Sequence, residues 1–247
     1  MKIIRISCVF GGFLSLVLSL SAQTLTTLHS FDGKDGGYPR AGLVQATNGD
    51  IYGTTSYDCG TVFKITPTGT LTTLLIFKKE DGCNPQAGLV QATDGSLYGT
   101  TLDFAGCNNG SVFKITPSGK LTTLHRFDVG DGANPNAGLV QYTDGKLYGT
   151  TQTGGVHGLG TVFSLSVGLG PFVETQPTSG KVGAAVKILG TDLTGASRVT
   201  FNGTAARFTV VSKSEIKTTV PAGATTGTVE VTTPKGTLKS NVVFRVS

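Results

Sequence analysis

One set of short blocks recurs three times between residues 25 and 167, and this self-similarity restricts the fold more than any other property of the chain. Leu25-Thr-Thr-Leu-His-Ser-Phe31, Leu71-Thr-Thr-Leu-Leu-Ile-Phe77 and Leu121-Thr-Thr-Leu-His-Arg-Phe127 open the copies. Ala-Gly-Leu-Val-Gln follows from Ala41, Ala87 and Ala137, then Tyr-Gly-Thr-Thr from Tyr52, Tyr98 and Tyr148. Gly60-Thr-Val-Phe63, Gly110-Ser-Val-Phe113 and Gly160-Thr-Val-Phe163 close them. The equivalent Phe31, Phe77 and Phe127 lie 46 and 50 residues apart, about the length of one propeller blade.

Each block is rich in Thr, Val and aromatic residues and reads as a strand. Asn48-Gly49, Asp94-Gly95 and Asp144-Gly145 separate strand pairs and predict type I′ hairpins with both central residues at positive φ. Pro67-Thr-Gly69 and Pro117-Ser-Gly119 preset a further turn. With 36 Gly and only 14% charged residues, the chain suits short strands and tight turns, so an all-β fold is predicted. The units, about 25–70, 71–120 and 121–167, each predict a four-stranded, propeller-like blade within a repeat region of residues 23–167.

On this phasing residues 25–31 are an orphan strand, and the last unit lacks its fourth. Three blades fall short of the four to eight of a closed propeller. The array is therefore a partial propeller or one completed by a homodimer, each orphan strand filling the partner's last blade and removing an exposed edge.

The unit resembles the GloVer (Gloeo/Verruco) tandem repeat of exported bacterial proteins, in all three copies and over residues 25–167. That resemblance implies a propeller-like surface or secreted protein, and it brings no catalytic residues with it.

Gly168-Leu-Gly-Pro171 breaks the repeat and predicts a second domain over residues 168–247, with β-rich runs near 185–189, 198–201, 206–211, 215–220, 227–232 and 241–246. So many short strands in so short a span suit a β-sandwich. Pro177-Thr-Ser-Gly180, Ile188-Leu-Gly-Thr-Asp192, Val199-Thr-Phe-Asn-Gly203 and Val220-Pro221 resemble the IPT/TIG immunoglobulin-like domain. The resemblance implies a spacer or interaction module.

At the N-terminus Lys2 and Arg5 precede an apolar run over residues 6–20 that ends in small residues, so residues 1–22 read as a signal peptide too short to span a bilayer. The predicted product is exported: secreted, periplasmic or on the cell surface, with no membrane span after signal removal. The formal charge of +5 falls when Lys2 and Arg5 leave, and the remaining charge is too scattered to imply nucleic acid. Cys8 leaves as well. Of Cys59, Cys83 and Cys107, the pair Cys83–Cys107 is preferred because both sit in turn-like segments of one repeat, although spacing does not fix connectivity. Three dispersed thiols make no zinc site.

His29 and His125 share a repeat position that Leu75 fills in the second copy, which suits a packed position better than a ligand. The carboxylate pairs Asp32/Asp35 and Asp128/Asp131 could help hold calcium, but they lack a full calcium-loop pattern, so no cofactor is assigned. No pair of carboxylates stands out as a glycosidase dyad. Differences between copies concentrate after Tyr-Gly-Thr-Thr, at residues 56–59, 102–109 and 152–159. Binding residues are sought in the variable loops: Tyr38, Tyr57 and Phe104 as aromatic platforms, and His157 in a Gly-rich loop. The expected function is a non-catalytic binding or adhesion protein for an extracellular glycan or protein. The alternatives are a propeller enzyme acting on polysaccharide and a structural envelope protein.

Overall fold

The computed structural model describes residues 23–104, 106 and 109–247. The predicted leader, residues 1–22, and Cys107 lie outside the described residues. Among these residues every regular element is a strand, and no helix is long and apolar enough to cross a membrane.

The first repeat forms an antiparallel sheet of β1 (Val44–Gln45), β2 (Ile51–Thr55), β3 (Thr61–Ile65) and β4 (Leu71–Ile76), in that order. The second repeats it with β5 (Val90–Gln91), β6 (Leu97–Thr101), β7 (Ser111–Ile115) and β8 (Leu121–Arg126). The third has three strands, β9 (Val140–Gln141), β10 (Leu147–Thr151) and β11 (Thr161–Leu165).

Two glycines per repeat explain why its blocks are so alike. Gly53, Gly99 and Gly149 lie opposite Phe63, Phe113 and Phe163 in the ladders. A Cβ at these glycines would come within 2.5, 2.7 and 2.6 Å of the phenylalanine rings, so a bare backbone is needed for each ring to fold over its own sheet. Gly60, Gly110 and Gly160 open the next strand at φ of 91, 81 and 93°, where a Cβ would lie 2.2 to 2.3 Å from the carbonyl oxygens of Thr55, Thr101 and Thr151.

The hairpins differ from the predicted type I′ turns. Gly49, Gly95 and Gly145 adopt positive φ, but Asn48, Asp94 and Asp144 do not. Gly49 N–H donates to Ala46 O and Ala46 N–H to Asp50 O, the pattern of a longer turn ending in one left-handed glycine. The Asx side chains serve the turn instead. Asp94 Oδ1 accepts from Ser96 N–H, while its Oδ2 accepts from the Tyr98 hydroxyl at 3.1 Å and pairs with Lys114 Nζ at 2.8 Å. The buried Tyr98 ring thereby keeps its hydroxyl satisfied.

Adjacent sheets share cores. Val62, Tyr52 and Phe77 of the first repeat meet Leu89, Leu97, Phe113 and Ile115 of the second. Val112, Tyr98 and Phe127 meet Leu139 and Leu147, with Phe163 and Leu165 against them. Polar ties cross the same joints, with Gln91 Oε1 accepting from Thr47 N–H at 2.8 Å and Gln141 Oε1 from Thr93 N–H at 2.9 Å.

The disulfide joins Cys59 to Cys83, which corrects the expected Cys83–Cys107 pair. The reason is packing between sheets. Cys59 ends the β2–β3 loop, whose carbonyl accepts from Asn84 N–H at 3.0 Å, so the strand that enters the second sheet passes directly beside it. The bridge staples two repeats together rather than the loops of one.

Residues 25–31 form no strand and do not complete the third sheet of their own chain. They lie against the first sheet instead. Phe31 meets Phe63 edge-on at 5.3 Å, as Phe77 meets Phe113 at 5.2 Å and Phe127 meets Phe163 at 5.1 Å.

The remaining strands are β12 (Glu174–Gln176), β13 (Ser179–Gly180), β14 (Ala185–Leu189), β15 (Arg198–Phe201), β16 (Thr204–Ala205), β17 (Phe208–Ser212), β18 (Glu215–Thr219), β19 (Val229–Thr233), β20 (Gly236–Lys239) and β21 (Arg245–Val246). Sheets ordered β12-β14-β18-β17 and β16-β15-β19-β20 enclose one core around Ile188, Leu193, Phe201, Ile216 and Phe244, and β13 pairs with β21 in parallel. This unit touches the repeats at the β9–β10 turn, where Phe172 N–H donates to Thr143 O at 3.0 Å and the Thr143 and Thr191 hydroxyls meet at 2.8 Å.

Gly60→Ala is expected to destabilise the chain by more than about 2 kcal/mol, and Gly49→Ala, which meets open space at φ 88°, by about 1 kcal/mol, in thermal or denaturant unfolding. Cys59→Ser should remove about 3 kcal/mol by releasing the loop closed across 24 residues, and non-reducing peptide mapping should recover the Cys59–Cys83 link from the parent chain.

Candidate functional site

The loops after β2, β6 and β10 gather on one face of the array together with the segments that lead into each sheet. Ser56 and Tyr57 N–H both donate to Gly37 O at 3.0 Å. Cys83 bridges to Asp103, and Ala133 to Thr153. Asn84 Nδ2 donates to Asp103 Oδ2, and Asn134 Nδ2 to Thr153 Oγ1 at 2.9 Å. The β9–β10 turn, where the second unit docks, lies at the opposite ends of these strands.

Tyr38, Asn84 and Asn134 hold the same position in the three repeats, each before a proline, at φ of 54, 57 and 57°. Asparagine tolerates this left-handed conformation, whereas a tyrosine pays for its Cβ. The strained Tyr38 is 63% exposed and packs edge-on against Tyr57, itself 49% exposed, with ring centroids 5.6 Å apart. Ser56 Oγ donates to the Tyr38 carbonyl at 3.1 Å and fixes the backbone beneath the rings. An outward-facing pair of aromatic rings on a braced loop can accept the flat apolar face of a ligand and offer two hydroxyls.

The other expected residues do not join this pair. Phe104 is only 8% exposed, and the Arg126 guanidinium lies 4.1 Å from its ring centroid, so Phe104 is no open platform and that expectation is corrected. The loop after β6, like that after β10, is four residues longer than the loop after β2, and sequence spacing did not disclose that Phe104 turns inward. His157 is exposed on the β10–β11 loop of the third repeat, separated from the tyrosines by the second sheet. That loop closes on itself through Gly158 N–H to Gly155 O and Gly160 N–H to Gly154 O, both at 3.0 Å.

His29 and His125 prove to be half of a repeated pair. His29 Nε2 lies 2.6 Å from Asp35 Oδ2, and His125 Nε2 lies 2.7 Å from Asp131 Oδ2. Each ring also meets a phenylalanine edge-on at 4.9 Å, Phe31 or Phe127, so both imidazoles are pinned on two sides. The signal was present in the sequence as an aspartate six residues after each histidine. Asp81, which has Leu75 in place of a histidine, turns to its own loop and accepts from Lys78 N–H. These pairs tether the loop to the strand before it.

The same loops occupy the carboxylates considered for calcium. Asp32 Oδ1 accepts from Lys34 and Asp35 N–H, and Asp128 Oδ1 from Gly130 and Asp131 N–H. Among the described residues no three His, Cys, Asp or Glu side chains converge as a metal site.

The repeated frame with its variable loops matches the family model of the Gloeobacter/Verrucomicrobia repeat over residues 16–209. The chain belongs to that family. No curated protein matches this Gloeobacter/Verrucomicrobia repeat chain. Among solved structures it is similar to a candidate gluconolactonase at 16% identity, with 80% of this chain and 72% of that one covered and a TM-score of 0.36. A protein crystallised with a xylogluco-oligosaccharide is 23% identical over 53% of this chain and 28% of its own, with a TM-score of 0.27. A fungal alcohol oxidase in complex with copper is 13% identical over 81% of this chain and 52% of its own, with a TM-score of 0.37. At these TM-scores none of the three carries an argument about architecture or chemistry.

Partial burial works to raise the Asp35 carboxyl, but the Asp32 amide and the His29 ring outweigh it and hold Asp35 below the ordinary aspartate value. A depressed carboxyl stabilises the fold above its unfolded value of about 3.9, and that contribution is lost as pH falls through the lower folded value. Asp35→Asn is therefore expected to lower the melting temperature near neutral pH, with the gap from the parent chain closing as the pH drops below about 4.

Proposed function

We propose that this chain is a non-catalytic, exported binding protein whose repeats form propeller blades that present the tyrosine-bearing loops to an extracellular glycan. The observation that carries the reading is Tyr38. Its position takes the comfortable Asn84 and Asn134 in the other two repeats, yet the first keeps a strained, exposed aromatic residue stacked on Tyr57. Backbone strain held at an exposed position is a pointer to function.

Several further features support the reading. The frame of the repeats is made of scaffold residues, and the differences between copies collect in the loops of one face. Three sheets with equivalent joints suit an arc of propeller blades. The leader-like residues 1–22 and the Cys59–Cys83 disulfide both suit an oxidising compartment outside the cytoplasm. The C-terminal unit, with its two four-stranded sheets around one core, suits an IPT/TIG immunoglobulin-like module that acts as a spacer or second contact surface.

The test is retention of a glycan panel on the immobilised protein, with products of hydrolysis assayed in parallel. Retention without turnover is expected. Tyr38→Asn should leave the melting temperature unchanged or raise it, because asparagine fits φ 54°, while weakening retention about tenfold, a loss of about 1.4 kcal/mol. Tyr57→Ala should weaken it similarly. Turnover of any glycan would instead support an enzyme acting on polysaccharide, and no retention at all would support a structural envelope protein.

A further inference from the structure

The two ends of the stack carry the two halves of one interface. Val62 and Val112 are fully buried in the joints between sheets, whereas the equivalent Val162 on β11 is 80% exposed. Leu89 and Leu139 are 7% and 8% exposed, whereas their equivalent in the first sheet, Leu43, is 61% exposed. The third sheet also lacks the outer strand that β4 and β8 supply to the others. Residues 25–31, meanwhile, have the sequence of such a strand yet join no sheet among the described residues.

A cavity of about 200 Å³ shows what the missing strand would bring. It lies between the second and third sheets and is lined by Val112, His125, Phe127, Asp131, Phe163 and Leu165. At the preceding joint the equivalent Val62, Phe77, Phe113 and Ile115 belong to a core against which Leu121, a residue of the outer strand β8, is packed, with Leu75 in the place of His125. The cavity therefore lies where an outer-strand leucine packs at the preceding joint, while Val167 and Leu169 pack against the same core from the segment after β11. Leu25 is the counterpart of Leu121 in the orphan segment, and it is 97% exposed.

We propose that two copies of the chain close a six-bladed ring, with residues 25–31 of each forming the fourth strand of the other's third sheet. The two complete sheets give the register. Ile65 pairs with Leu71 and Lys64 with Thr72; Ile115 pairs with Leu121 and Lys114 with Thr122. Transferred to the junction between copies, Leu165 pairs with Leu25 and Ser164 with Thr26, and Leu25 enters the cavity. Phe77 N–H donates to Gly60 O at 2.9 Å and Phe127 N–H to Gly110 O at 3.0 Å, so Phe31 N–H of the second copy donates to Gly160 O. The added strand covers the open edge of β11, an edge that otherwise invites uncontrolled pairing.

Head-to-tail contacts generate either a ring or a filament. Three blades from each of two copies give a number within the four to eight that close a propeller, so two copies suffice. The C-terminal unit docks at the β9–β10 turn and leaves Val162 on the strand edge uncovered. This inference rests on the propeller reading of the repeats and is independent of any ligand.

The experiment is light scattering coupled to size exclusion on the full chain purified after export, without glycan. Twice the single-chain mass is expected, and Leu25→Asp should return the protein to the single-chain mass, since Leu25 is 97% exposed in one copy. In a Cys107→Ser background, Thr26→Cys combined with Ser164→Cys should give a covalent dimer on non-reducing gels, and either cysteine alone should not. A parent chain at single-chain mass, a dimer that survives Leu25→Asp, or a ladder of larger cross-linked species would each overturn ring closure. None of these readouts involves glycan, so failure of the binding reading would leave them unchanged.

Discussion

Contact between a phenylalanine ring and a bare strand glycine is the constraint on which the repeat architecture depends. Phe63, Phe113 and Phe163 lie over Gly53, Gly99 and Gly149, and no side chain fits between ring and backbone. Each ring is also met edge-on by Phe31, Phe77 or Phe127, from the segment that precedes the sheet. A single motif therefore sets both the packing within a sheet and the packing between sheets. Because the apolar faces are buried only by neighbours, the ends of the array remain unsatisfied, as in other repeat proteins.

Polar chemistry in the frame serves mainly to hold loops. The His29–Asp35 and His125–Asp131 pairs, the Asx turns at Asp32 and Asp128, and the Tyr98–Asp94–Lys114 cluster all tie a turn to the strand beside it. Burial works to raise the Asp94 carboxyl, but Lys114 and the Ser96 amide hold it below the usual carboxylate range. Asp94 in turn adds to the effect of burial in raising the Tyr98 hydroxyl. With the loops so tied, the surface aromatic pair Tyr38–Tyr57 stands on a hydrogen-bonded base.

Repeat number, strand order and many of the left-handed glycines were legible in the amino-acid sequence, because each rests on local chemistry: alternating β-rich blocks, and Asx-Gly and Pro-x-Gly joints whose glycine takes positive φ. So was the location of the variable loops. The partner of Cys83, the inward turn of Phe104 and the exact hairpin class were not, since each depends on which segment of a neighbouring repeat lies alongside. Cys59 and Cys83 sit in different repeats and meet only because one sheet stacks on the next. Tyr38 and Tyr57 were each suspected from their loops, but their pairing follows from the Gly37 carbonyl that anchors the Tyr57 amide.

The sequence by itself determined the local frame of this protein, through the period of its repeats, the residues that must be glycine and the family to which it belongs. Only the tertiary structure decided how the frame ends. Whether Val162 is buried or exposed depends on the presence of a neighbouring sheet, and the cavity beside Phe163 lies at the sheet that lacks an outer strand. Repeated local contacts have no term that counts the copies, so how the array ends is settled by what meets its two terminal sheets.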